Sequence, residues 1–306
     1  MTIRHLTIFV AVAETGKMSS AAAKFYISQP TVSQTIKELE EHYGVLLFDR
    51  ISKKLYITEA GKNLLTYAKL VVDQFNQLED NMFTGFNEKL RIGATVTVGS
   101  CILSSVINQF KEKMPDVDTF SYVNNTKVIE DKLLNSELDV GIVEGRIKNH
   151  DLITLPVMKD SLVIVCNKNH RFAGKKKVSI KELEKENFVM REEGSGTREL
   201  FEHYMSKHGA KIKVSWEVSC PNAIKKAVMN NNCLAAISER LVEDEINAEE
   251  FYTIKCNDNS LERSFLMVYY KNKIFSESMK TLCDILKSFD NDVRKKDIVS
   301  GILIHN

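Results

Sequence analysis

From Ile3 to Thr15 the apolar residues Ile3, Leu6, Phe9, Val10 and Ala13 return at three- and four-residue steps, the repeat of one helix face, and Gly16 supplies a stop. Ser19 is placed to cap a second short helix, "SAAAKFY", whose alanines permit close approach of neighbouring helices. Ser28 is placed to cap a third, with Pro30 in its first turn, running through "TVSQTIKELEEHY" to Gly44. On it Val32, Ile36 and Leu39 make a stripe to bury, which turns Gln29, Thr31, Ser33, Gln34 and Lys37 outward. Two short apolar runs in "LLFDRISKKLYIT" then flank a turn carrying Arg50, Lys53 and Lys54, the pattern of a hairpin.

After Thr58 the pattern lengthens. "EAGKNLLTYAKLVVDQFNQLEDNMF" contains no proline, and Leu64, Ala68, Val71, Phe75, Leu78 and Met82 step as a heptad seam that needs a partner, either the domain's own core or a second copy. From Lys89 strands and helices alternate. "LRIGA", "DTFSYV" and "LDVGIVEG" are the strands of a first set, with helices "CILSSVINQFKEK" and "TKVIEDKLLN" between them. A second set runs from "LVIVC" to "FYTIK", and the strand "SFLMVYY" and helix "ESMKTLCDILKSF" follow. Such alternation predicts parallel α/β sheets with ligands held beyond the carboxyl ends of the strands.

Composition changes this picture little. Against 42 Lys+Arg stand 41 Asp+Glu, and 43% of the 306 residues are apolar, which is ordinary for a multi-domain globular chain. The first sixty residues are nearly balanced as well, Arg4, Lys17, Lys24, Lys37, Arg50, Lys53 and Lys54 facing Glu14, Glu38, Glu40, Glu41, Asp49 and Glu59, so any affinity for nucleic acid rests on arrangement. The short polar side chains at the start of the third helix, with acids held back to its end, suit a major-groove reader, although a solvated helix face is the commoner meaning of such a pattern. Six scattered cysteines form no C-x-x-C pair and no zinc-ligand spacing, so no metal or disulfide framework is expected and a reducing cytoplasm fits. Arg4, His5, Glu14 and Lys17 interrupt the N-terminal apolar patch and exclude a signal or membrane-spanning segment there.

The stretch "FVAVAETGKMSSAAAKFYISQPTVSQTIKELEEHYGVLLFDRISKKLYITEAG" resembles the winged helix-turn-helix of the LysR-type transcriptional regulators, through its "S-A-A-A" helix, the "S-Q-P-x-x-S" entry, "L-E-x-x-x-G-x-x-L-F-x-R" and the closing "T-x-A-G". The resemblance implies an α/β chain with an N-terminal all-α winged helix-turn-helix (1–58), a long linker and dimerisation helix (59–88) and a two-subdomain, periplasmic-binding-protein-like effector module. Residues 89–161 and 266–290 are expected in its first subdomain, 162–265 in its second, and 291–306 form an unassigned tail. By the same resemblance Gln29, Pro30, Thr31, Ser33, Gln34 and Lys37 face DNA, and Arg50, Lys53 and Lys54 belong to the wing. Expected partners are double-stranded promoter DNA, RNA polymerase and a second copy of the chain, as a dimer or dimer of dimers in the cytoplasm, with no membrane.

Three segments enter helices and offer backbone N–H groups and hydroxyls to an oxyanion: "GATVTVGS" with Thr95, Thr97 and Ser100, "NNT" with Thr126, and "EEGSGT" with Ser195, Gly196 and Thr197. Arg198 adds a candidate partner for a carboxylate. Helix capping alone is the plainer role for these Thr and Ser residues. "GATVTVG" is similar to the subgroup that regulates cysteine biosynthesis and carbon fixation, which implies that Thr95, Thr97 and Ser195 hold a small anion or acylated amino acid; sulfate and O-acetylserine are the first expectations. Glu192 and Glu193 beside such a site must point away, pair with Arg191 or Arg198, or serve a ligand that also carries an amine. No cofactor and no enzymatic activity are expected: "EGSGT" lacks the spacing of a nucleophile elbow, and no P-loop is present. A rival input is thiol redox, through Cys101 at the start of a helix whose dipole would lower its pKa.

Overall fold

The computed structural model describes residues 1–51, 54–84, 88–256, 259–289 and 300–304. The chain divides between Glu88 and Lys89 into two compact units. In the first, helices α1 (Ile3–Thr15), α2 (Met18–Lys24) and α3 (Gln29–Tyr43) bury Leu6, Phe9, Val12, Ala21, Val32, Ile36 and Leu39 against one another. The hairpin of β1 (Phe48–Ile51) and β2 (Lys54–Ile57) follows, with Phe48 opposite Ile57 in antiparallel register. Helix α2 starts at Met18, so Ser19 lies inside it and not at its cap; Lys17 holds the cap position with no side-chain bond. The alanine-rich turn is short enough to be set by packing alone.

Helix α4 (Glu59–Thr84) opens on Thr58, whose Oγ1 accepts the Gly61 N–H at 2.9 Å. Its apolar seam divides in two. Ala68 is buried in the core of the first unit with Leu64 packed beside it, whereas Val71, Phe75, Leu78 and Met82 are exposed.

The second unit continues with β3 (Lys89–Thr95), α5 (Val96–Cys101), α6 (Leu103–Lys113), β4 (Asp118–Asn124), α7 (Thr126–Leu134), β5 (Val140–Val143), β6 (Leu152–Asn167), β7 (Lys177–Ser179), α8 (Ile180–Leu183) and β8 (Asn187–Met190). Then come α9 (Gly196–Lys207), β9 (Lys213–Glu217), α10 (Pro221–Asn231), β10 (Ala235–Ser238), α11 (Glu243–Asn247), β11 (Phe251–Cys256), β12 (Glu262–Tyr270), α12 (Glu277–Ser288) and β13 (Ser300–Ile304). The sheet is mixed and not purely parallel as the alternation suggested. Strands β4, β3 and β5 are parallel, but β12 runs antiparallel to β5 and to β6.

Strand β6 organises the unit. From Leu152 to Ser161 it pairs with β12, and from Leu162 onward with β10 and β11, so one strand of 16 residues belongs to two half-sheets. The first half packs on Leu90, Ile92, Val106, Phe110, Phe265, Leu282 and Ile285; the second packs on Phe172, Phe188, Phe201, Tyr204, Leu234 and Leu303. "LVIVC" is therefore only the latter part of a longer strand, because Pro156 and the pair Lys159–Asp160 interrupt its apolar pattern. Residues 262–265, expected in the second subdomain, lie in β12 and pair with the first half of β6. The tail expected to be unassigned supplies β13, parallel to both β11 and β7, with Leu303 fully buried.

Asp139, just before β5, accepts from the Arg91 backbone N–H at 2.7 Å, from Arg91 Nε at 3.0 Å and Nη2 at 2.8 Å, and pairs with Lys273 beyond β12. Burial would push its carboxyl up, but Arg91 and Lys273 more than offset this and hold it below the ordinary aspartate value. A depressed folded-state pKa contributes stability that is whole above the unfolded value and lost as pH falls through the folded one. Asp139→Asn is accordingly expected to lower the denaturation midpoint at pH 7, with the gap to the parent protein closing only below about pH 4. Leu303→Ala should destabilise the second unit by about 2–4 kcal/mol in urea unfolding of the full chain, as for other fully buried leucines; an unchanged midpoint would show that β13 contributes nothing to that core.

Candidate functional site

Two groups of residues carry chemistry, one in each unit. In the first, burial of Val32, Ile36 and Leu39 presents the opposite face of α3 to solvent, leaving Gln29, Pro30, Thr31, Gln34 and Lys37 exposed and Ser33 half-buried. Ser28 caps α3: its Oγ accepts the Thr31 N–H at 3.3 Å and lies 2.8 Å from Thr31 Oγ1. Arg50 on β1 donates from Nη2 to Ser33 Oγ at 3.4 Å, which joins the wing to the reading face. Gln34 donates to Glu38 at 3.0 Å and Lys37 pairs with Glu41 at 3.4 Å. The Glu38 carboxyl is held below its usual range by Gln34 and then by His5. Lys53 and the side chain of Lys54 lie outside the described residues.

A hollow of about 530 Å³ at the foot of α3 is lined by Lys17, Ser19, Gln29, Arg50 and Tyr56 among others. Tyr26, in a left-handed turn between α2 and α3 at φ 55°, stands 97% exposed. Lys17, Tyr26 and Tyr56 were not singled out by the sequence pattern. None sits on the outward face of a periodic helix, and only folding brings them beside α3.

In the second unit most of the expected donors converge, but around a carboxylate of the protein itself. Glu144 follows β5 and is 1% exposed. Thr95 donates to its Oε2 and Thr97 to its Oε1 at 2.9 Å. A hydroxyl has one hydrogen, so these two threonines as they stand offer an incoming ligand only acceptor lone pairs. Segment "GATVTVGS" is also not the open loop expected: Val96–Cys101 forms α5. Thr126 donates to the Glu144 carbonyl at 2.8 Å and accepts the Gly196 N–H at 3.3 Å, tying α7 and β5 of one half-sheet to the start of α9 in the other.

That tie is possible because two glycines face each other. A Cβ on Gly196 would lie 2.3 Å from the Glu144 carbonyl oxygen, and one on Gly145 would lie 2.7 Å from the Gly196 Cα. Gly145 also sits at φ 98°, a conformation that side chains disfavour. Beside this contact Ser195 Oγ is buried with no hydrogen-bond partner. Arg263, on β12, donates from Nη1 to Thr197 Oγ1 at 2.9 Å and from Nε to Asp160 at 2.7 Å, while its Nη2 is buried without a partner. Asp160 also accepts from Ser238 at 2.7 Å.

Arg198 is not brought to this cluster: it donates to Glu202 at 2.8 Å, one helical turn along α9, and to Glu217 at 2.6 Å. The arginine that stands in the cluster is Arg263. Glu192 pairs with Arg191 at 2.8 Å; burial would raise its carboxyl, and Arg191 outweighs this and lowers it. Ser100 lines a separate cavity of about 460 Å³ between α5 and the start of α10, walled by Cys101, Pro221, Lys225, Arg240 and Asp244 among others. Arg240 links cavity and cluster, since its Nε lies 3.9 Å from Asp160.

Glu144 and Arg263 were not singled out by the sequence. "LDVGIVEG" reads as a strand with a polar end, and nothing local tells that two hydroxyls nearly fifty residues away will enclose that end. Cys101 also stands differently from the expectation. It closes α5 and does not open a helix, and burial, followed by the charge of Asp160, pushes its thiol up to about 12. Among the described residues no group of three or more His, Cys, Asp or Glu could hold a metal, and no helix is long and apolar enough to cross a membrane.

Comparison with known proteins bears on both groups. Residues 3–62 match the bacterial regulatory helix-turn-helix protein model of the lysR family, and residues 84–290 match the LysR substrate binding domain. The HTH-type transcriptional regulator CysL of Bacillus subtilis is 31% identical over 286 residues, covering 90% of this chain and 96% of that protein. The regulatory domain of CcmR from Synechocystis PCC6803, solved in complex with 2-PG, is 25% identical with a TM-score of 0.62 over 67% of this chain and 99% of its own. Full-length CbnR complexed with its target DNA shares the fold, at 17% identity and a TM-score of 0.59 over 94% of this chain and 99% of that one. A helix-turn-helix with an exposed polar reading face, followed by two half-sheets joined through one strand, is thus accounted for at both ends: the chain belongs to the LysR family of DNA-binding transcriptional regulators with an effector-binding domain.

Proposed function

We propose that this regulator reads a partly palindromic promoter site as a homo-oligomer, dimer or dimer of dimers, and that a small anionic metabolite between its two subdomains changes how it holds and bends the DNA. The observation that carries the effector half is the pair of orphaned buried donors, Ser195 Oγ and Arg263 Nη2, beside the glycine contact between subdomains. A buried polar group without a partner costs on the order of 1–3 kcal/mol, and a bound oxyanion would satisfy both. A separate cavity of about 460 Å³, which Arg240 links to Asp160, is of metabolite size. The CcmR domain, of the same fold, is complexed with the small anion 2-PG. Sulfate and O-acetylserine remain the first compounds to try.

The DNA half rests on α3. Gln29, Thr31, Ser33, Gln34 and Lys37 are the reading residues, and Arg50, with Lys53 and Lys54, lies along the phosphate backbone. The exposed part of the α4 seam, Val71, Phe75, Leu78 and Met82, supplies the surface for a second copy, so that two α3 helices meet symmetry-related half-sites. RNA polymerase is the further partner through which the bound oligomer acts, in the cytoplasm. A ligand shifts such an equilibrium only by its differential affinity for the two states, and the movement proposed is a parting of Gly145 from Gly196.

Two pairs of variants separate the layers. Ser33→Ala and Lys37→Ala should each weaken operator binding roughly tenfold in fluorescence anisotropy, with effector affinity unchanged. Ser195→Ala, alone or combined with Thr97→Val, should weaken the binding of sulfate, 2-phosphoglycolate or O-acetylserine by about tenfold in calorimetry through loss of the Ser195 donor, while operator affinity without effector stays the same. Equal effects of both pairs on both activities would refute the modular reading.

Thiol sensing makes an opposite demand on Cys101, since a sensor needs thiolate near neutral pH. With its thiol pushed up to about 12, Cys101 is expected to stay unmodified by iodoacetamide at pH 8 in the folded protein, while exposed Cys220 is alkylated. Peptide mapping that finds Cys101 modified as fast as Cys220 would restore the redox reading.

A further inference from the structure

The charges of the cleft do not balance. Asp160 is buried and met by Arg263 at 2.7 Å, with Arg240 a further cation at 3.9 Å. Glu144 is equally buried, yet among the described residues no Lys, Arg or His pairs with it; its oxygens are met only by the hydroxyls of Thr95 and Thr97. Two hydroxyls stabilise a carboxylate without neutralising it, and an uncompensated buried charge is among the costlier features a fold can carry. Immediately across the glycine contact the opposite situation holds. Ser195 Oγ and Arg263 Nη2 are buried donors with no acceptor, and Thr197 Oγ1, which accepts from Arg263, keeps its own hydrogen for another group. Thr126 bridges the two ends, donating to the Glu144 carbonyl and accepting from Gly196 N–H, so acceptor and donors stand within adjacent residues of one another.

We propose that the metabolite held between the subdomains is a zwitterion of the α-amino acid type, its ammonium against the Glu144 carboxylate and its carboxylate against Ser195, Thr197 and Arg263. This rests on the cleft being the effector site and specifies what that site selects. The ammonium supplies the cation that Glu144 lacks, and the lone pairs of Thr95 and Thr97 accept its remaining hydrogens. An anion without an amine would bring a second negative charge beside Glu144 in a region of low dielectric, where like charges repel strongly. The separate 460 Å³ cavity beside Arg240 carries both signs on its wall, Lys225 and Arg240 against Glu243 and Asp244. Entry requires Gly145 and Gly196 to part, which couples occupancy to the angle between the subdomains.

Matched pairs of compounds test this on the full chain by titration calorimetry: O-acetyl-L-serine with 3-acetoxypropanoate, L-serine with 3-hydroxypropanoate, and L-aspartate with succinate, with sulfate as a simple anion. The ammonium-bearing member of at least one pair is expected to bind tenfold or more tightly than its partner, and tighter than sulfate. In Glu144→Gln, whose amide oxygen still accepts from one threonine while its NH2 donates to the other, that ratio should fall below threefold and sulfate should bind more tightly. In Ser195→Ala both members should weaken alike and the ratio should persist. Des-amino compounds or sulfate binding as tightly as their ammonium counterparts, or a ratio unchanged in Glu144→Gln, would overturn the zwitterion while leaving the cleft as an effector site. Failure of every compound to bind either protein would remove both readings. Should Glu144→Gln not fold, the wild-type ratios decide.

Discussion

Asp160 and Arg263 face each other in register across β6 and β12, at the point where β6 leaves one half-sheet for the other. Both side chains are buried, and withdrawing two such charges from water costs several kcal/mol per ion unless their geometry and remaining hydrogen bonds are good. They are good here because groups from both halves take part: Ser238 at the end of β10 completes Asp160, and Thr197 in the first turn of α9 accepts from Arg263. The pair therefore does more than join two strands. It determines where the ends of β10 and α9 lie relative to β12, and so where the cleft donors stand.

The crossing strands thus make one charged junction between the two half-sheets. Away from the crossing strands they touch at Gly145 and Gly196, through the hydroxyl of Thr126, through the Lys127 N–H to the Gly194 carbonyl at 3.3 Å, and through the exposed Lys148–Glu199 pair at 2.7 Å. Such a contact has a few directional bonds and little apolar area, so parting it costs little compared with unfolding either core. Closed, it leaves Ser195 and Arg263 unsatisfied and Glu144 without a cation.

The DNA-binding unit follows another economy. Its first sixty residues are almost electrically balanced, so arrangement has to do what net charge does not. The Ser28 cap and the buried stripe of α3 orient the polar face, and Arg50 reaches from the wing to Ser33. Gln34 and Lys37 lean on Glu38 and Glu41 of the same helix, contacts at exposed positions that hold them weakly.

Much of this was legible in the residues. The steps of Val32, Ile36 and Leu39, the cap at Ser28 and the motif running to "TEAG" depend on neighbours within a few positions, where the periodicity of a helix acts directly. The α4 seam was legible as apolar but not as divided, since Ala68 packs inward and Phe75 stands exposed by virtue of what surrounds the helix and not of its own pattern. Val96, Thr97, Val98 and Gly99 have poor helix propensity and still form α5, because packing overrides a weak local preference. The convergence of Glu144 with Thr95 and Thr97, of Arg263 with an aspartate 103 residues earlier, and of the 300–304 strand with β11 and β7 is decided only in the folded chain. Local sequence determined most of the helices and strands and which domain reads DNA; tertiary structure decided α5, the pairing of β13 and the chemistry of the cleft, because packing, buried charges and orphaned donors are properties of an environment assembled from residues distant along the chain.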